Sequence, residues 1–104
     1  MNLEHYDVEK LKREILAVIG RRLELKKYRV FFFGSRAMGR GRERSDIDIG
    51  IEGPEPVPLV VLDDIKEDLD NLPILYKIDI VDFNRLTPKF REVALKEIEP
   101  LVKL

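Results

Sequence analysis

Apolar residues recur along this chain with three different spacings, and the switches between them mark out its elements. Val8, Leu11, Ile15, Val18, Ile19 and Leu23 follow a 3.6-residue repeat, which predicts an amphipathic first helix over Val8 to Leu25. Lys26 and Lys27 suit its C-terminal end, where the helix dipole is negative. Tyr28 to Phe33 is a short apolar and aromatic run containing the β-branched Val30 and stopped by Gly34, the pattern of a buried strand. Ala37 and Met38 are placed to start a short helix after that turn, and Gly39 and Gly41 make the following stretch a loop. From Asp46 to Glu52 the period becomes two: Ile47, Ile49 and Ile51 face one way, and Asp46, Asp48, Gly50 and Glu52 face the other.

Gly53, Pro54, Pro56 and Pro58 break the chain. Leu59, Leu62, Ile65, Leu69 and Leu72 then form a second helical stripe that Pro73 ends. Lys77 to Phe83 is a third strand, with Ile78 and Ile80 on one face and Asp79, Val81 and Phe83 on the other. Thr87 supplies a capping side chain and Pro88 a first-turn proline, so a last helix, lined by Phe90, Val93, Ala94 and Ile98, should run toward Pro100. The order helix, strand, strand, helix, strand, helix predicts an α/β domain: a small mixed β-sheet flanked by helices.

Composition narrows the classes. The chain has 104 residues, enough for one compact domain over 1–104 and too few for a second lobe. Hydrophobic residues make up 44% and charged residues 38%, as in a soluble globular protein. The formal net charge is −1, which argues against direct nucleic-acid binding by bulk electrostatics. There is no cysteine, and His5 is the sole histidine, so thiolate zinc sites and a Ser-His-Asp triad are not expected. No apolar stretch reaches the ~20 residues of a membrane helix, and the N-terminus mixes acids and bases too early for a signal peptide. The expected location is cytoplasmic.

The chemistry concentrates between Phe33 and Gly50, where the pattern is Gly-Ser, ten residues, Asp-x-Asp. Residues i and i+2 of a strand share a face, so Asp46 and Asp48 lie side by side. Two carboxylates that close repel unless a cation lies between them, and magnesium accepts carboxylate oxygens together with substrate phosphates. Asp79 is likewise flanked by isoleucines. If Ile47, Ile49, Ile78 and Ile80 share one core, Asp79 joins Asp46 and Asp48 on the opposite face, and three carboxylates can hold two metal ions.

Gly34 permits a phosphate to approach the main chain, and Ser35 adds a hydroxyl and an amide. The G-x-x-x-x-G-K-[ST] pattern of a P-loop is absent. Arg36 is the candidate triphosphate contact; Arg40, Arg42 and Arg44 either form a solvated loop or steer an acidic partner. Asp63, Asp64, Asp68, Asp70 and Asp82 have no comparable context and are expected to be solvated.

Gly34-Ser35-Arg36-Ala37-x-Gly39, followed by Ser45-Asp46-Ile47-Asp48-Ile49 and a later Asp79, resembles the minimal nucleotidyltransferases, the MNT proteins of the DNA polymerase β-like superfamily. The likeness extends over nearly the whole chain, including the closing Thr87-Pro88-x-Phe90-Arg91. It implies the polymerase β-like nucleotidyltransferase fold and transfer of AMP from ATP to an acceptor hydroxyl. Asp46 and Asp48 would ligate two Mg2+ ions, Asp79 would complete the site of the ion that activates the acceptor, and Gly34 and Ser35 would hold the β- and γ-phosphates. Many members carry arginine where this chain has Met38, so one basic contact near the phosphates is missing.

Such proteins are paired with a HEPN ribonuclease toxin, and the resemblance implies an antitoxin that adds AMP to a tyrosine of that partner. An acceptor carried by another protein accounts for the small size. A non-catalytic antitoxin that binds nucleotide and masks its HEPN partner is the alternative; transfer to a small molecule is a third, although relatives of that kind carry an additional helical domain. The apolar tail Leu101, Val102 and Leu104 packs either on this chain or on a partner, so a hetero-oligomer with the HEPN protein, and a homodimer, are the assemblies to expect.

Overall fold

The computed structural model describes residues 3, 6–34 and 47–101. Helix α1 (Val8–Gly20) begins on Asp7, whose carboxylate accepts the Glu9 N–H at 2.9 Å and so satisfies one of the donors left open in a first helical turn. The helix ends at Gly20 instead of Leu25. Glycine is a poor helix former, and Leu25 folds back against it: a Cβ on Gly20 would lie 3.2 Å from Leu25 Cδ1. Lys26 and Lys27 therefore lie beyond the helix end.

Strands β1 (Arg29–Phe33), β2 (Ile47–Glu52) and β3 (Ile78–Asp82) form, with a two-residue β4 (Glu99–Pro100), a sheet of order β3-β2-β1-β4. β1 runs antiparallel to β2 and β4, and β2 runs parallel to β3. The parallel pair requires a crossover, which α2 (Leu59–Asp70) supplies. The period-two pattern then acts as read. Ile47, Ile49 and Ile51 are fully buried, and they share one core with Ile78, Ile80, Leu11 and Ile15 of α1 and with Ile65 and Leu69 of α2. Both long helices thus lie on one face of a small mixed sheet.

The last third departs from the periodicity. α3 (Pro88–Ala94) starts where expected, with the Thr87 hydroxyl accepting the Phe90 N–H at 3.4 Å, but it buries none of its residues: Phe90 is 55% and Val93 60% exposed. The chain leaves the helix after Ala94 to lay Glu99 and Pro100 beside Phe32 and Phe31, so Ile98 also lies outside it. An ion pair ties α3 to the sheet. Arg91 donates to Glu52, which also accepts from Arg29 at 3.0 Å. Of the apolar tail, Leu101 joins the core of its own chain and donates its N–H to the Val30 carbonyl at 3.0 Å; Val102 and Leu104 lie outside the described residues.

Asp82, expected to be solvated, is buried. Its carboxylate accepts the N–H groups of Val57 (2.7 Å) and Asn84 (3.0 Å) and lies 3.5 Å from Arg85 Nε. Arg85 donates to the Val57 carbonyl at 2.8 Å, and the Asn84 side chain exchanges two hydrogen bonds with the Gly53 backbone, 3.0 and 2.8 Å long. These contacts pin the proline-rich segment between β2 and α2 to the end of β3 and satisfy buried polar groups that would otherwise be costly. Among the described residues, no helix is long and apolar enough to cross a membrane.

Candidate active site

The face of the sheet opposite α1 and α2 carries aromatic rings toward one end and carboxylates toward the other. At the aromatic end Gly50 sits between Phe31 and Phe83, which pack edge to face with ring centroids 4.8 Å apart. A Cβ on Gly50 would come within 2.4 Å of Phe31 and 2.7 Å of Phe83, so only glycine lets both rings cross the strand. Phe33 packs edge to face on Phe83 at 5.0 Å. Glu52 is further along the same face. Partial burial pushes its carboxyl up, but the hydrogen bonds and charges of Arg91 and Arg29 outweigh that and hold it below the usual range.

At the carboxylate end the register places Phe33 opposite Asp48, and Asp48 opposite Asp79. Partners on neighbouring strands share a face and stand about 5 Å apart, so the two carboxylates are immediate neighbours. The Asp79 side chain is 44% exposed.

Gly34 follows Phe33 directly and takes φ +77°, a left-handed conformation that glycine adopts without strain. Its Cα faces Asp48: a Cβ there would lie 2.8 Å from Asp48 Oδ2. The turn after β1 is thus pressed against the carboxylate of β2. A phosphate held at the turn and a cation held at the aspartates would be neighbours.

Of the residues singled out from sequence, the fold brings Gly34, Asp48 and Asp79 together. Ser35, Arg36 and Asp46 lie outside the described residues, as do Arg40, Arg42 and Arg44. Among the described residues no group of three His, Cys, Asp or Glu side chains is placed to hold a metal ion. Asp48 and Asp79 supply the paired oxygen donors that suit magnesium.

Lys77, assigned from sequence only as the start of the third strand, also stands beside Asp79. Its carbonyl accepts the Ile47 N–H at 2.8 Å, which continues the ladder one residue before β3. Its ammonium lies 3.9 Å from Asp79 Oδ1. The signal was present in the i, i+2 relation of Lys77 to Asp79, the same relation that drew attention to Asp46 and Asp48.

Comparison with known proteins agrees with this geometry. The family model for "Polymerase beta, Nucleotidyltransferase" matches residues 23–103. A Haemophilus influenzae protein named "Probable protein adenylyltransferase MntA" is 31% identical over 88 residues, spanning 83% of this chain and 77% of that protein. A solved structure described as "putative minimal nucleotidyltransferase" superimposes with a TM-score of 0.68 at 30% identity, covering 97% of this chain and 99% of the other. A chain in the solved complex of a tri-AMPylated Shewanella oneidensis HEPN toxin with MNT antitoxin shares the fold, with a TM-score of 0.67, 15% identity and coverage of 92% and 73%. On the family match, which takes in all four strands of the sheet, and on a fold that sets Gly34 against Asp48, the chain belongs to the polymerase beta nucleotidyltransferase family.

Proposed function

We propose that this protein is a magnesium-dependent nucleotidyltransferase that moves AMP from ATP to a hydroxyl of a HEPN-type toxin and acts as that toxin's antitoxin. The observation that carries the reading is the meeting of three features at one end of the sheet: the left-handed turn at Gly34, Asp48 against it, and Asp79 in register beside Asp48. The named activity of the Haemophilus influenzae relative supports the reaction, and the Shewanella oneidensis complex supports the partner.

In this reading Asp46, Asp48 and Asp79 hold the metal, while Gly34, Ser35 and Arg36 hold the triphosphate. Magnesium, when bound, neutralises charge at the phosphates and the acceptor oxygen. The chain's own groups do the placing. The Gly34 turn offers backbone to the phosphates with no side chain in the way, and Asp79 takes the proton of the acceptor hydroxyl. One bond forms between that hydroxyl oxygen and the α-phosphorus. The bond from the α-phosphorus to the bridging oxygen breaks, and pyrophosphate leaves. No covalent intermediate with the protein is needed.

ATP labelled at the α-phosphate, magnesium and the HEPN partner test the proposal. Label should appear on a tyrosine of the partner, vanish on chelation, and vanish with Asp48→Asn while the circular dichroism of the variant stays native. Equal labelling by the variant would remove Asp48 from the mechanism. Full neutralisation of the toxin by an unlabelling variant would transfer the antitoxin role to binding alone.

A further inference from the structure

Among the described residues, Lys77 stands beside Asp79 and has no role so far. Its main chain is fixed, because its carbonyl is bonded to β2 at 2.8 Å. Its side chain is not: it is 66% exposed, and its ammonium stands 3.9 Å from Asp79 Oδ1, at the outer limit of an ion pair. An exposed pair at that distance contributes little to stability. A lysine here is therefore poorly explained as a structural clamp. The chain has real clamps elsewhere, and they look different. Glu52 receives close hydrogen bonds from two arginines, and Asp82 is buried against two backbone N–H groups.

Charge offers the better account. Beside Asp79 the ammonium offsets part of that carboxylate's negative charge. When a cation takes the Asp48 and Asp79 carboxylates, the ammonium is repelled from them. The anion that then enters beside it is the phosphate chain of the nucleotide. A flexible point charge with three donors suits a phosphate chain that changes shape during transfer.

Building on the nucleotidyl-transfer reading above, we propose that Lys77 is a nucleotide-phosphate-binding residue that rests on Asp79 while the site is empty. Two consequences of opposite sign follow. Removing the charge weakens nucleotide binding, because a phosphate contact is lost. It also strengthens binding of a divalent cation alone, because a competing positive charge has left the carboxylates. A purely structural lysine would move neither, and a residue that only helped to hold the metal would weaken both.

The test uses the full chain and its Lys77→Gln and Lys77→Arg variants, with Mn2+ alone titrated by electron paramagnetic resonance and a non-hydrolysable ATP analogue with magnesium titrated by calorimetry. Lys77→Gln should raise the dissociation constant of the nucleotide about tenfold and lower that of Mn2+ a few-fold, in line with one charge-assisted contact. Lys77→Arg should keep nucleotide affinity within about threefold of native, because it keeps the charge. Native protein that binds nucleotide, with Lys77→Gln binding it equally well or binding Mn2+ more weakly, overturns this inference and leaves the transferase reading standing. Native protein that binds no nucleotide overturns both.

Discussion

Gly34 carries two constraints at one atom. Its φ of +77° excludes most side chains, and the space a Cβ would need is held by Asp48 Oδ2 at 2.8 Å. Gly34→Ala should therefore cost about 1–2 kcal/mol of stability in urea unfolding. It should also push Asp48 out of line, so that transfer activity falls further than the stability loss alone explains. A variant with native stability and native rate would show that the turn and the carboxylate are not coupled. That the two serve one site was implied by the Gly-Ser and Asp-x-Asp motif; the contact itself comes from the antiparallel pairing of Phe33 with Asp48. The neighbouring relation of Asp48 and Asp79 was legible, because period-two patterning on two isoleucine-rich strands fixes which face each aspartate takes. The same rule, carried one step further, puts Asp82 on the face of Ile78 and Ile80. Reading Asp82 as solvated gave its charge more weight than its phase in the strand.

Elements followed the pattern where burial governs it, and departed where charge or chain reversal does. α2 and the three main strands sit within a residue or two of their predicted bounds. β4 was not anticipated, since two residues carry no period and pair only because the chain turns back after Ala94. The Phe90 and Val93 positions read as core by helical spacing, yet α3 faces them outward and anchors through Arg91. Replacing both with serine should change the unfolding free energy of the isolated chain by less than about 1 kcal/mol, within the range of exposed substitutions. A loss of about 3 kcal/mol or more would mean these side chains are buried after all.

Across the whole molecule, ion pairs join pieces distant in sequence. Arg22 of the α1 C-terminal turn reaches Asp68 of α2 at 3.0 Å, Lys12 of α1 reaches Glu99 of β4 at 3.1 Å, and Glu52 gathers Arg29 and Arg91. Glu52 makes stability depend on pH. Its carboxyl sits below the ordinary value of 4.5 in the folded chain, so its contribution is fully present above about pH 5 and is lost as the pH falls through the depressed folded value. Glu52→Gln should lower the melting temperature at pH 7 and flatten the decline of melting temperature below pH 5. A variant with native stability at pH 7 and an unchanged acid limb would remove Glu52 from the account.

The proposed mechanism requires Asp79 to belong to the same reacting site as Asp48. The most direct measurement is the rate of AMP transfer by Asp79→Asn, run beside the native chain at saturating ATP and magnesium. Asp79 is only partly buried, so the variant should melt as the native protein does, while its rate falls about a hundredfold or more. A folded Asp79→Asn that transfers AMP within about threefold of the native rate would contradict the mechanism.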